Sequence, residues 1–165
     1  YWRDWSSDVC SSDLITTEFV EDGIIIRKKP NTLTQCVAEF SDVPDLAIPF
    51  VFACAGAGIS MRANGLDTLR IKECDRVEAM REIVHDLGAR VMALEKNALH
   101  IEGTQTPGCA RPLNTYKDHR LVMASAMCAV TGNAVQVNDP QHVSKSYPGF
   151  WNDLSALGFQ VNFEN

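Results

Sequence analysis

The amino-acid sequence predicts an α/β fold, in the α+β sense, in which helices alternate with paired strands. The clearest helix, over 75–88, has a regular apolar face at three- and four-residue intervals, formed by Val77, Met80, Val84 and Leu87. Two short strand patterns, 90–95 and 98–102, follow it directly. Further helix patterns begin at 44 and 118, and each is also followed by strand patterns. Such alternation is typical of an α/β protein.

The N-terminal region predicts a hairpin after an unrelated leading segment. Residues 1–14 have no amphipathic period and contain the near-duplicate segments Ser-Ser-Asp-Val and Ser-Ser-Asp-Leu, so we expect a non-native or disordered tract. The chain from 15 to 165 is then the folded part. Residues 18–28 predict two strands around the turn sequence Glu-Asp-Gly.

The central elements follow in order. Residues 35–40 predict a strand, and Pro44 opens a helix that extends to about 57, with Asp42 as its N-cap. Residues 59–63 and 68–71 are strand candidates. The helix over 75–88 is capped by Asp75 and ends at Gly88, a residue suited to a left-handed C-terminal cap.

The C-terminal third predicts two helices and two strands. One helix begins at Asp118, continues through Val130 and ends at Gly132. Residues 134–137 predict a strand, 148–157 a helix and 159–163 a last strand.

Composition excludes several classes of partner. The chain has 165 residues, a formal net charge of −6 and 45% apolar residues, which allows a packed core and argues against nucleic-acid binding. It contains no apolar run of about 18 residues, so no membrane partner is expected. It has six cysteines but no Cys-x-x-Cys pair, so we expect reduced thiols, no metal site and a cytoplasmic location. A local basic cluster could still bind a small anion.

Charged clusters occur at three predicted strand-to-helix junctions: 42–45, 70–76 and 116–120. Lys145 lies in a fourth such loop. Helix N-termini attract anions, and guanidinium groups bind carboxylate and phosphate in a bidentate manner. The alternative is ordinary capping and solvation, with Asp118 as an N-cap only and His119 as a core histidine.

Four segments, taken together, resemble the EPSP synthase family. Arg-Ile-Lys-Glu-Cys-Asp-Arg at 70–76 is similar to its Arg-x-Lys-Glu-[Ser/Thr]-Asp-Arg signature, with Cys74 where Ser or Thr is usual. Tyr-Lys-Asp-His-Arg at 116–120 resembles the second signature, and Pro-Asp at 44–45 a third segment. Lys-Ser-Tyr-Pro at 145–148 resembles the C-terminal stretch. The resemblance covers about 16–165.

The resemblance implies an inside-out α/β barrel domain of repeated βαβαββ units, present here incompletely and without the other, N-terminal domain. It implies transfer of the enolpyruvyl group from phosphoenolpyruvate to the 5-hydroxyl of shikimate 3-phosphate, with no metal or organic cofactor. Asp45 would be the base at the hydroxyl, and Glu73 would exchange a proton with the methylene carbon. Lys72 would assist Glu73 and contact phosphoshikimate. The residues expected to hold phosphoenolpyruvate and its departing phosphate are Arg76, Arg120 and Lys145.

Two other functions remain open from the sequence. The sister enzyme that uses UDP-N-acetylglucosamine as acceptor shares this fold and chemistry. A non-catalytic anion-binding or structural domain would also carry basic helix N-termini. An assay with each acceptor separates the enzymes, and turnover of either one excludes the structural domain.

Overall fold

The N-terminal hairpin is confirmed. The computed structural model describes residues 15–28, 34–103, 109, 111–131 and 134–163. Strands β1 (Ile15–Val20) and β2 (Gly23–Lys28) pair antiparallel across the turn at 21–22 and form a separate two-stranded sheet. The tract 1–14 and the predicted helix end at Gly132 lie outside the described residues.

A four-stranded sheet with two helices forms the body of the chain. Its strands are β3 (Gln35–Glu39), β4 (Ser60–Asn64), β5 (Arg90–Leu94) and β6 (Ala98–Glu102), in the spatial order β3-β4-β6-β5. Strands β3 and β4 are parallel, and the other pairs are antiparallel. Helix α1 (Ala47–Ala57) connects β3 to β4, and α2 (Arg76–Asp86) connects β4 to β5. The chain therefore forms one βαβαββ unit, as predicted.

The core lies on one face of this sheet. Inward residues alternate along β3 and β4, where Cys36, Ala38, Met61 and Ala63 are buried. Helix α1 is apolar around most of its circumference because it packs against both the sheet and a later helix, α3 (His119–Met127). Helix α2 buries its predicted stripe, Val77, Met80, Val84 and the following Leu87, and it also buries Ile83.

Three predictions at helix ends have different outcomes. Asp75 caps α2 by accepting a hydrogen bond from the backbone N–H of Glu78 (3.0 Å), and Gly88 has a left-handed φ of 89°. The N-cap prediction for Asp42 is wrong. The segment Pro44–Leu46 begins as a 3-10 turn after Val43, without a side-chain cap.

The prediction of a strand at 68–71 is also wrong, because Asp67–Ile71 is a 3-10 helix. Leu66 and Leu69 are both fully buried, and the Leu69 N–H donates to the Leu66 carbonyl at 3.0 Å. A spacing of three residues places these leucines on one side of a 3-10 turn, whereas in a strand they would face opposite ways.

The C-terminal strand predictions fail within the described residues. Residue 137 forms a single parallel bridge with Leu113, and 159–163 is irregular. A strand needs a hydrogen-bonding neighbour as well as an alternating sequence, and neither segment has a ladder partner in the described part of the chain. Helix α3 ends earlier than predicted and continues as the 3-10 segment Cys128–Thr131, and α4 spans Phe150–Ala156.

Close backbone packing positions the loop that leaves β3. Gly65 follows β4 with a φ of 74°, and a Cβ there would lie 2.4 Å from the backbone nitrogen of Ser41. Glycine is therefore required where the turn after β4 contacts the segment leading to Asp45. No helix in the described residues is long and apolar enough to cross a bilayer.

Candidate active site

Charged residues from four segments meet beside the N-termini of α2 and α3. Asp45 lies in the 3-10 turn before α1, and Glu73 lies in the loop before α2. Arg76 is the first residue of α2, and Arg120 is the second of α3. Lys145 is the last residue of the 3-10 segment Pro140–Lys145.

The centre of the site is a buried ion pair between α2 and α3. Arg76 is 3% exposed and Asp118 is fully buried. The Arg76 Nε donates to Asp118 Oδ2 at 2.6 Å, and Nη2 donates to Oδ1 at 3.2 Å. Asp118 also caps α3 by accepting the Arg120 N–H at 2.9 Å. Burial alone would raise the pKa of Asp118, but the Arg76 hydrogen bonds and the cap outweigh it and lower that pKa.

Asp45 bridges the two arginines. Arg76 Nη1 donates to Asp45 Oδ1 at 2.7 Å, and Arg120 Nη2 lies 3.3 Å from Asp45 Oδ2. Both guanidinium groups therefore face the same carboxylate, although Arg76 is buried and Arg120 is exposed. The three residues come from segments separated by 31 and 44 positions along the chain. Capping alone does not account for this convergence, because the three side chains come from separate segments.

Glu73 forms the other half of the site. The Lys145 ammonium donates to Glu73 Oε1, and His119 Nδ1 lies 3.3 Å from Glu73 Oε2. Burial works to raise the pKa of Glu73, but the hydrogen bond from Lys145 and the nearby His119 lower it overall. His119 Nδ1 also lies 3.9 Å from Asp118 Oδ1, which links this half to the buried ion pair.

Of the six predicted site residues, the structure joins five in one network: Asp45, Glu73, Arg76, Arg120 and Lys145. Lys72 is adjacent to Glu73 in sequence but is exposed, and it forms no ion pair with the described residues. Its predicted role therefore has no geometric support beyond its place in the same loop.

Two members of the network, Asp118 and His119, were missing from the predicted site residues. Both had a local explanation in the sequence, as a helix cap and a core histidine. Asp118 does cap α3, but the same carboxylate also binds Arg76. The available signal was their position inside the charged segment 116–120, directly before Arg120.

A strained turn orients the start of α3. Tyr116 and Lys117 have φ values of 53° and 56°, which non-glycine residues rarely adopt in succession. The Tyr116 hydroxyl donates to the Glu82 carboxylate on α2, and Thr115 Oγ1 donates to the Asn138 carbonyl at 2.9 Å. These contacts hold the turn in the conformation that directs Asp118 toward Arg76.

Cys74 contacts the carboxylate of Asp118. It occupies the position where Ser or Thr is usual in the family that the sequence resembles. Its thiol lies 3.9 Å from Asp118 Oδ2. Burial, assisted by the Asp118 charge, raises the pKa of Cys74 to about 11, so the thiol stays protonated at neutral pH. It therefore acts as a weak donor, as a hydroxyl would at this position.

One group of the site has ligand atoms close enough for a metal ion. These atoms, from Glu73, Asp118 and His119, lie within 4.8 Å of one another. Both carboxylates are already paired with cations, Glu73 with Lys145 and Asp118 with Arg76. A metal ion would have to displace an ammonium and approach a buried guanidinium, so the donor set does not favour one.

The βαβαββ unit and this charge network define an α/β domain with two exposed cations, Arg120 and Lys145, at the network's surface. A family model described as EPSP synthase (3-phosphoshikimate 1-carboxyvinyltransferase) matches residues 14–154. The chain therefore belongs to the EPSP synthase family.

Curated relatives and a solved structure agree with this assignment. The chain is 39% identical over 148 residues to a 3-phosphoshikimate 1-carboxyvinyltransferase from Bacteroides fragilis, covering 89% of the chain and 36% of that relative. It is 39% identical over 128 residues to one from Clostridium acetobutylicum, covering 76% of the chain and 29% of the relative. An EPSP synthase structure from Acinetobacter baumannii superimposes with a TM-score of 0.66 at 22% identity, covering 92% of this chain and 37% of that one. The chain spans about a third of the length of these relatives.

The superposition confirms the predicted fold, an incomplete inside-out α/β domain of the enolpyruvyl transferase type. The described residues contain one complete βαβαββ unit and the beginning of further elements.

Proposed function

We propose that the complete protein containing this chain transfers the enolpyruvyl group of phosphoenolpyruvate to the 5-hydroxyl of shikimate 3-phosphate and releases phosphate. Membership of the EPSP synthase family supports this reaction. The observation that carries the assignment of residues is the bridging of Arg76 and Arg120 by Asp45, beside the Lys145–Glu73 pair. Residues 15–165 then contribute part of one domain, and a second domain of the same protein completes the site.

The exposed cations are the proposed phosphoenolpyruvate ligands. The side chains of Arg120 and Lys145 are 43% and 61% exposed, whereas Arg76 is enclosed by Asp118 and Asp45. A ligand carboxylate or phosphate that reaches Arg120 competes with Asp45 for it. Arg76 then supplies fixed positive charge behind the ligand, which stabilises charge that develops on the departing phosphate.

Glu73 is the proposed proton donor and acceptor. In the addition step its proton goes to the methylene carbon of phosphoenolpyruvate, the substrate hydroxyl oxygen bonds to the adjacent carbon, and Asp45 takes the hydroxyl proton. In the elimination step Glu73 recovers a methyl proton, the bond to phosphate breaks, and the departing phosphate takes the proton held by Asp45. Contact with Lys145 favours the ionised Glu73. When the Lys145 ammonium pairs with the ligand phosphate instead of Glu73, the pKa of Glu73 should rise toward the value that a proton donor needs.

The remaining features of the proposed enzyme follow from this reaction. Its ligands are two small anions, and its protein partner is its own second domain, which closes over them and excludes water. The reaction needs no metal or organic cofactor, and the residues act through charge and proton transfer alone. We place the protein in the cytoplasm, without nucleic-acid or membrane partners.

The test is an assay of the complete protein with both acceptors. Shikimate 3-phosphate should support phosphate release from phosphoenolpyruvate, and UDP-N-acetylglucosamine should not. Turnover with the nucleotide sugar alone would assign the sister activity, and turnover with neither would leave an anion-binding domain as the function.

We expect the 165-residue chain alone to have no measurable transferase activity. A single domain cannot orient both substrates, and orientation supplies much of the rate in a two-substrate reaction. Phosphate release by the purified chain should equal the rate without protein. Turnover near the rate of the complete protein would contradict this expectation.

Replacing Arg120 with lysine in the complete enzyme should raise the KM for phosphoenolpyruvate by about tenfold while changing the KM for shikimate 3-phosphate little. Lysine keeps the charge but loses the planar pair of donors that binds an anion in a bidentate manner. Arg111→Lys is the matched control, because Arg111 pairs with Asp86 away from the site. Equal changes in both KM values would exclude a specific phosphoenolpyruvate contact.

A further inference from the structure

Arg70 is the first residue of the charged segment 70–76, and neither the sequence nor the proposed reaction assigns it a role. Each nitrogen of its guanidinium group is engaged within the chain. Nε donates to the Lys96 carbonyl at 2.7 Å and Nη2 to the Glu95 carbonyl at 2.9 Å. Nη1 donates to Asp75 Oδ2 at 2.9 Å. The guanidinium group is therefore committed to contacts within the protein.

These three contacts fix both ends of the loop that carries Glu73. Asp75 caps α2 with its other oxygen, Oδ1, which accepts the Glu78 N–H at 3.0 Å. The Glu95 and Lys96 carbonyls belong to the turn between β5 and β6. Arg70 thus closes the loop 70–75 across its base and attaches it to a helix terminus and to a sheet turn.

Apart from Cys74, which packs partly buried against the core and contacts Asp118, the loop has few other attachments. Lys72 is exposed, and Ile71 is 84% exposed, so neither holds the loop by burial. Among the described residues, the Glu73 side chain contacts Lys145 and His119, and both lie on other segments. Closure of the loop by Arg70 and Asp75 therefore contributes to the position of the Glu73 backbone.

We propose that Arg70 is a positioning residue, which places the loop of Lys72 and Glu73 for proton transfer and does not contact either substrate. This role rests on the proposed transferase function. A guanidinium group is required because its rigid plane serves two backbone carbonyls and one carboxylate at once. A lysine ammonium at this position can keep the charge and the pairing with Asp75, but cannot make the two carbonyl contacts in the same geometry.

The test is Arg70→Lys in the complete enzyme, with Arg62→Lys as the matched control. Arg62 contacts the side chain of Glu95, the residue whose carbonyl Arg70 binds, but it lies on β4 outside the loop. We expect R70K to lower kcat by roughly 10- to 100-fold, since small misplacements of a reacting group have effects of this size. The KM for phosphoenolpyruvate should change by less than about threefold, because its proposed ligands lie outside the loop. R62K should leave both constants near their original values.

A double variant separates positioning from a general loss of structure. If Arg70 acts through Glu73, R70K should lower kcat little further when Glu73→Gln is already present. A full multiplicative loss in R70K/E73Q would overturn the proposal, as would R70K with an unchanged kcat. If R70K does not fold, Asp75→Asn removes the ion pair while retaining an N-cap residue, and its kcat should fall with the same split from KM. Unchanged kcat in D75N under those conditions would also overturn the role.

The two proposals fail in different ways. An unmodified complete enzyme without transferase activity overturns the proposed function, and the role of Arg70 with it. An active enzyme in which R70K and R62K behave alike overturns the role of Arg70 alone.

Discussion

Replacing Asp118 with alanine is expected to lower the free energy of unfolding by about 3–5 kcal/mol, the range for breaking a buried ion pair from one side. Arg76 is 3% exposed and would keep its charge, and among the described residues Asp45 would be its remaining carboxylate contact. The helix α3 would also lose its N-cap, because Asp118 accepts the Arg120 N–H. Urea denaturation followed by circular dichroism measures the loss.

Two control variants test whether the buried ion pair causes this loss of stability. Asp118→Asn keeps an oxygen for the cap and for one Arg76 hydrogen bond. The free energy of unfolding should therefore fall less in D118N than in D118A. Glu102→Ala removes an exposed ion pair with Arg90, in which the Arg90 side chain is 75% and the Glu102 side chain 54% exposed. This variant should lower the free energy of unfolding by less than about 1 kcal/mol. A D118A loss as small as that of E102A would show that the buried pair does not stabilise the fold.

The same carboxylate predicts a pH dependence with a definite sign. The pKa of Asp118 is lowered in the folded chain, so the folded state favours the ionised form. Its contribution is therefore complete above the unfolded pKa of about 3.9 and is lost as the pH falls through the lower folded pKa. Stability measured from pH 6 downward should decline less steeply in D118N than in the unmodified chain.

Replacing Glu73 with glutamine in the complete enzyme should lower kcat by about 10²- to 10⁴-fold with little change in either KM, the range for loss of a general acid–base group. Glutamine has nearly the same shape and can still accept a hydrogen bond from Lys145, but it cannot carry the transferred proton. Steady-state phosphate release measures the effect.

Glu78→Gln is the matched control, since Glu78 pairs with Arg81 on the partly exposed face of α2. It should leave kcat within about twofold. A kcat in E73Q similar to that in E78Q would remove Glu73 from the chemistry. A large rise in KM with an unchanged kcat would assign it to binding.

Local patterns predicted the elements whose formation depends on neighbours in sequence. The apolar stripe of α2 is visible because a helix places residues three and four apart on one face, and Asp75 and Gly88 are end signals that act within one turn. The hairpin β1–β2 likewise needs only a turn sequence and two strands. The charged segments could be recognised in the same way, since each lies in a few consecutive residues.

Strands without a nearby partner could not be predicted in this way. The segments 134–137 and 159–163 have strand-like composition, yet neither has a ladder neighbour in the described part of the chain. The segment 68–71 also has strand-like composition, and only the burial of both Leu66 and Leu69 in the folded chain selects a 3-10 turn. Pairing and burial are properties of the folded chain, so periodicity alone does not contain them.

The amino-acid sequence alone therefore determines the α/β class and five of the charged residues that meet at the site, and the βαβαββ order followed from the family resemblance. Only the tertiary structure decides how those charges are paired. In the folded chain Asp118 both caps α3 and pairs with Arg76. Asp45 pairs with both arginines, and Lys72 is exposed beside Glu73. The physical reason is that an ion pair depends on the distance and burial of two side chains, and residues 42 positions apart acquire both only when α2 and α3 pack together.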